Sequence, residues 1–213
     1  MEADQARVAL LLSLRRAGIR DLDVLRAMET VPREGFLPDG LRHFGPRNVA
    51  VPLPCGQTMP PPLTLAIMLE ALEARPGHRA LEIGAGSGYG TAVLSRLAGE
   101  IVSFERYRTL AAGAEARLRA LGIEARIVFG DGLACPPELG RFDRILVHAA
   151  LPDVPQALAD ALAEDGRIVA GAPADADGPA SLAVFERGPD GFASRRIAPI
   201  RLAPAQTGVA RSL

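Results

Sequence analysis

Lysine is missing from this chain of 213 residues, and all 24 of its basic side chains are arginine. That absence excludes a P-loop, whose phosphate grip needs a lysine, and it excludes Schiff-base chemistry. Alanine and glycine are abundant, so base composition accounts for the deficit. Cysteine is nearly as scarce. Cys55 and Cys135 are too few and too far apart for a metal knuckle or a disulfide framework, which points to a reducing compartment, the cytoplasm. Long apolar runs are lacking as well: Val8 to Leu14 is short and is followed by Arg15 and Arg16, while Glu2 and Asp4 stand where a leader would be basic. Neither a signal peptide nor a membrane span is expected. Nor is there an excess of one charge. A formal net charge of -1 removes the electrostatic footprint of a nucleic-acid-binding protein. What the chain does have is 48% apolar residues, enough at this length for one sizeable core and hence a single domain.

Apolar spacing predicts a helix from Ala3 to Ala17, stopped at Gly18, and a second from Asp21 to Thr30. Between Val31 and Pro62, proline and glycine are too frequent for regular elements, and a long irregular loop of this kind is usually a functional segment. Leu63 to Leu72 reads as a helix. Short apolar strands then alternate with helices, the pattern of βαβ units and a mostly parallel sheet. The predicted strands are Ala80 to Ile83, Ile101 to Phe104, Ala125 to Phe129, Arg144 to Val147 and Arg167 to Ala170. The helices between them are Tyr89 to Leu97, Thr109 to Leu121 and Val154 to Ala163. Leu182 to Glu186 and Phe192 to Ile197, joined by Gly188-Pro189-Asp190-Gly191, read as a hairpin that closes the sheet with an antiparallel pair. Ala172 to Ala180 is expected to be a mobile loop. The fold class is therefore α/β, a doubly wound and mostly parallel sheet. Residues 1–76 are taken as N-terminal helices and substrate loop, and 77–213 as cofactor-binding core and C-terminal hairpin.

The strongest chemical signal is Leu81-Glu82-Ile83-Gly84-Ala85-Gly86-Ser87-Gly88-Tyr89, an apolar strand ending in alternating glycines with a helix directly after it. Tyr89 occupies the place where the dinucleotide fingerprint needs its third glycine, which demotes the oxidoreductase reading. Ala85 and Tyr89 stand where a nucleophile elbow needs its outer glycines, which demotes the hydrolase reading. Glu105 ends the next strand, roughly 20 residues after the first glycine, where a carboxylate can accept both hydrogen bonds of a ribose diol. Asp131, within Gly130-Asp131-Gly132, ends the third strand, where it can meet an adenine amino group. Three sites at the carboxyl ends of successive strands share one crevice and point to an adenosyl ligand. Elsewhere, His148 follows the fourth strand near the crevice mouth and could orient an acceptor, His43 and His78 read as surface residues, and Asp143 reads as structural. Arg195, Arg196 and Arg201 read as a solvated cationic cluster.

The glycine turn, together with Val31-Pro32-Arg33-Glu34-Gly35-Phe36-Leu37-Pro38, Cys55-Gly56-Gln57-Thr58 and Gly130-Asp131-Gly132, resembles the protein-L-isoaspartate O-methyltransferase family from Gly18 to the last strands. The resemblance implies a seven-stranded sheet with one reversed strand, S-adenosyl-L-methionine as cofactor, and methyl transfer to the free carboxylate of isoaspartyl residues in damaged proteins. It implies cofactor contacts at Glu82, Gly84, Ala85, Gly86 and Gly88 around the methionine part, at Glu105 and Arg106 by the ribose, and at Gly130, Asp131 and Gly132 near adenine. Gln57 and Thr58 are the implied catalytic positions, closing over the reaction centre. No metal is implied; the partner is a peptide or protein carrying isoaspartate, with no nucleic acid or membrane, and the enzyme is taken as a monomer. Two places depart from the family pattern. Pro60 stands where the family usually has Ser, and Pro46 and Asn48 precede Val51-Pro52 where an aromatic residue and Asp are usual. The alternatives are a methyltransferase of the same fold with another peptide or small-molecule acceptor, and a non-catalytic S-adenosylmethionine-binding module.

Overall fold

The computed structural model describes residues 2–175, 178–188 and 191–210. Helix α1 (Glu2–Arg16) stops at Gly18, whose φ of +110° favours glycine. Helix α2 (Leu22–Thr30) begins where the Asp21 carboxylate accepts the N–H groups of Asp23 and Val24. Both pack on α3 (Pro62–Leu72), and the Glu70 carboxylate on α3 accepts the N–H groups of Arg20 and Asp21 at 2.6 and 2.7 Å.

The stretch expected to be irregular has structure of its own. It contains a two-residue antiparallel pair, β1 (Val51–Pro52) with β2 (Thr58–Met59), and short helical turns over Arg33–Phe36, Asp39–Phe44 and Pro54–Gly56. Proline density had hidden these elements, because single turns and a two-residue ladder carry no periodicity. Their organiser is Arg33, 3% exposed. Its guanidinium donates to the carbonyls of Phe44, Gly45, Arg47, Val49 and Pro60 and to the Met59 sulfur, at 3.0 to 3.4 Å. Burial holds its pKa below the ordinary guanidinium value.

The main sheet comprises β3 (Arg79–Ile83), β4 (Glu100–Glu105), β5 (Arg126–Phe129), β6 (Phe142–Ala150), β7 (Leu162–Ala172), β8 (Ser181–Gly188) and β9 (Gly191–Ala198). Its order is β5-β4-β3-β6-β7-β8-β9, parallel through β7 and antiparallel at the β7–β8 and β8–β9 pairs, so β8 alone runs against the rest. The predicted hairpin is present, with Gly188 paired to Gly191; Pro189 and Asp190 of its turn lie outside the described residues, as do Ala176 and Asp177 of the expected mobile loop.

The two-residue pleat sorts the core into two layers. Ala80, Ile101, Leu146, Val169, Leu182 and Val184 face α1, α2, α3 and α4 (Tyr89–Leu94), with Leu118 of α5 (Arg108–Ala120) in the same cluster. Their neighbours Leu81, Val102, Ile145, Val147, Ile168 and Ala183 face α6 (Gln156–Ala161) on the other side. After β9 the chain turns back over the carboxyl ends of the strands. Ala150 and Ala203 to Ala205 exchange backbone hydrogen bonds of 2.7 and 2.9 Å, and Ala210 N–H reaches the Arg106 carbonyl at 3.0 Å. Among the described residues, no helix is long and apolar enough to cross a membrane.

Candidate active site

Strand order reverses at β3, with β4 and β5 on one side and β6 and β7 on the other, so a crevice opens beyond the carboxyl ends of β3 and β6. A cavity of about 640 Å³ lies there, within the usual size of a small-ligand site. Its walls are the ends of β3 to β6, the β1–β2 hairpin, the first turn of α3, and the returning segment 200–206.

The glycine turn follows β3 directly. Gly84 and Ala85 donate their N–H groups to the Phe104 carbonyl at 2.8 and 3.1 Å, which pins the turn to β4. Gly84 and Gly88 adopt φ of +97° and +89°, a region that a side chain disfavours. Gly84 lines the cavity against His148, whereas Gly88 faces α5, where a Cβ would lie 3.2 Å from that of Ala114. Ala85 is buried and, like Gly86 and Gly88, is not part of the cavity wall. Tyr89, which broke the dinucleotide pattern, is 3% exposed and packs its ring 5.6 Å from that of Phe36. A glycine there would leave the proline-rich segment without its apolar anchor.

Glu105 is 4% exposed, yet it lines the cavity. One carboxylate oxygen accepts the Gly86 N–H at 2.8 Å and the other the Tyr107 N–H at 2.9 Å. Each oxygen keeps a further acceptor site, which is what a vicinal diol requires. Gly130, Asp131, Gly132 and Arg106 line the same space. Asp131 is more committed than the sequence implied: one oxygen accepts the Leu133 N–H at 3.0 Å and the other the Gly208 N–H at 2.5 Å. Arg106 donates to the Gly208 carbonyl at 3.0 Å and to the Gln206 side chain, so it ties down the C-terminal segment.

Glu82 does not reach the cavity. The pleat turns it inward at 0% exposure, where it accepts the hydroxyls of Thr91 and Ser103 and faces His148 Nε2 at 2.9 Å. Three polar partners offset the cost of burying a carboxylate and explain its place beneath the glycine turn. His148 does line the cavity, with 15% of its side chain exposed. Gln57 and Thr58 line the cavity as well, and the Gln57 amide nitrogen donates to the Cys55 carbonyl and the Tyr107 hydroxyl, both at 3.2 Å.

Sequence reasoning missed Arg33 as the loop's organiser, Thr64 in the cavity wall, and the return of segment 200–206 to that wall, having read Arg201 only as a solvated cation. Thr64 had a legible signal, as the one hydroxyl in an otherwise apolar helix start. The other two had none, since their partners lie far away along the chain. Asn48 caps α3 by accepting the Leu63 N–H at 2.9 Å. Asp143 accepts the Arg79 N–H at 2.8 Å, His43 is exposed against Phe44, and His78 accepts the Arg75 N–H. The arginine cluster divides: Arg196 pairs with Asp175 at 2.6 Å, while Arg201 lines the cavity. Among the described residues, no group of three or more His, Cys, Asp or Glu is placed to hold a metal.

A seven-stranded doubly wound sheet, with a glycine turn and an acceptor carboxylate meeting in the switch-point cavity, is the arrangement of the S-adenosylmethionine-dependent methyltransferase class. The family model for protein-L-isoaspartate(D-aspartate) O-methyltransferase matches residues 5–207. A protein-L-isoaspartate O-methyltransferase 2 of Rhodopseudomonas palustris (strain HaA2) is 47% identical over 203 residues, covering 95% of this chain and 93% of the relative. A protein-L-isoaspartate O-methyltransferase of Xanthobacter autotrophicus is 44% identical over 216 residues, covering 100% and 97%. A Plasmodium falciparum structure of a protein-L-isoaspartate O-methyltransferase-type protein, in complex with S-adenosyl-L-homocysteine, superposes with a TM-score of 0.81 at 24% identity, covering 94% of this chain and 98% of the other. The chain belongs to the protein-L-isoaspartate(D-aspartate) O-methyltransferase family.

Proposed function

We propose that this chain methylates the free carboxylate of L-isoaspartyl residues in damaged proteins, with S-adenosyl-L-methionine as the methyl donor. The observation that carries this reading is one cavity shared by the Glu105 carboxylate and the Gln57–Thr58 hairpin. The residues present fit the cofactor, because Glu105 offers two acceptor oxygens held in place by main-chain N–H groups and Gly84 leaves the strand end open to close approach. When bound, S-adenosylmethionine supplies a methyl group already activated on a sulfonium.

Glu105 would seat the ribose, Gly130 to Gly132 would flank the adenine, and Gly84 would border the methionine part. Glu82, Ala85, Gly86 and Gly88 would act behind the surface, setting the shape of the turn. Gln57 and Thr58 would bound the acceptor and exclude water. The acceptor carboxylate needs no general base, since it arrives ionised; one of its oxygens bonds to the methyl carbon as the sulfur–carbon bond breaks, leaving S-adenosylhomocysteine. Alignment and dehydration carry the rate.

Residues 1–76 and 77–213 are read as one working unit because α1 to α3 share a core cluster with the sheet.

Incubation with labelled S-adenosylmethionine and a matched pair of peptides tests the proposal. Base-labile label is expected on the isoaspartyl peptide and not on its aspartyl twin. Label on neither, with cofactor binding intact, would sink it and favour another acceptor, the reading to which Pro60 lends support.

A further inference from the structure

Resting on that reading, we propose that the Thr64 hydroxyl holds the methyl-accepting carboxylate, supplying the donor that Pro60 lacks. A carboxylate entering this cavity leaves water behind and needs a hydrogen bond to one oxygen while the other stays free to attack. Few donors border the proline run itself; the Thr58 hydroxyl and the Arg201 guanidinium also line the cavity, but both residues are exposed, where water weakens such bonds. Pro60, Pro61 and Pro62 have no N–H, and the Leu63 N–H is held by Asn48 at 2.9 Å. The Gln57 amide and His148 Nε2 are engaged within the protein.

Thr64 differs from these groups. It sits in the first turn of the eleven-residue helix α3, is 6% exposed, and lines the cavity. Its hydroxyl makes no hydrogen bond among the described residues. A helical hydroxyl often turns back to a carbonyl three or four residues earlier, as those of Ser13, Thr30 and Ser95 do here. Thr64 sits at the third position of α3, and its hydroxyl makes no such bond to Pro61 or Pro60. Glu105 and Asp131 line the same cavity, and a second anion would be repelled from their carboxylates.

Thr64→Val removes the hydroxyl while keeping the branched shape, and Thr64→Ser keeps the hydroxyl. The readouts are affinity of an isoaspartyl peptide for protein saturated with S-adenosylhomocysteine, and kcat/KM for methyl transfer. Thr64→Val is expected to lose about 10- to 100-fold in both, the range for a hydrogen bond to a charged group, while Thr64→Ser stays close to the parent protein and S-adenosylhomocysteine affinity holds in both variants. Equal peptide affinity in Thr64→Val and the parent overturns the proposal, as does an equal loss in Thr64→Ser, which would mark a packing effect. Failure of the parent protein to prefer the isoaspartyl peptide would instead overturn the isoaspartyl reading, and this inference with it.

Discussion

Glu105→Ala is expected to lower the affinity for S-adenosylmethionine by about 10- to 100-fold, the equivalent of losing charge-assisted hydrogen bonds of about 1.5–3 kcal/mol. Two effects add. The variant loses the acceptors proposed for the ribose diol, and it releases the N–H groups of Gly86 and Tyr107, which hold the glycine turn and the start of α5 in register. Glu105→Gln retains one carbonyl oxygen of similar reach and should fall between the variant and the parent. Titration calorimetry with S-adenosylmethionine and S-adenosylhomocysteine measures both, and a thermal melt of each variant separates loss of binding from loss of folding. An unchanged dissociation constant in a folded Glu105→Ala protein would remove Glu105 from the ribose site.

Arg33→Met should destabilise the protein by about 3–5 kcal/mol, at the upper end for a single substitution, because five carbonyls lose their donor at once inside a segment with little other regular bonding. For a chain of this size that corresponds to a fall in melting temperature of about 10 °C, readable by calorimetry. The damage should be uneven. Pro60 and the β1–β2 hairpin line the side of the cavity proposed for the acceptor, so kcat/KM for the peptide should fall further than cofactor affinity, which the proposal assigns to the ends of β3 to β5. Arg33→Lys keeps the charge but offers three donors to five carbonyls and should recover only part of the loss. A melting temperature within a degree or two of the parent would show that the loop is held by its prolines and not by the guanidinium.

The sheet was legible because its signal is local. The predicted strands of the parallel part are runs of four or five mostly apolar residues, and each lies within or beside an observed strand; β6 and β7 run longer than predicted because their outer residues pair through register shifts that leave no mark in the apolar pattern. The glycine turn, Glu105 and Asp131 were legible for the same reason, since a strand followed by a particular residue type places that residue at the sheet's carboxyl edge. Glu82 belongs to the same motif, yet its direction could not be read. Whether the last residues of a strand face a crevice or a helix depends on the packing of Thr91 and Ser103 around it.

From the sequence by itself came the α/β class, the antiparallel closing hairpin, the position of the cofactor crevice and the family resemblance, because periodicities of two and 3.6 residues and a glycine turn need only their immediate neighbours. Only the tertiary structure decided how the proline-rich segment is held, that the chain after β9 returns to wall the cavity, and that Thr64 keeps an uncommitted hydroxyl there. Arg33 meets carbonyls 11 to 27 residues away, and Gly208 reaches Asp131 across 77. Contacts of that span leave no periodic trace, because any polar group with a free lone pair can satisfy them and only the folded chain selects which one does.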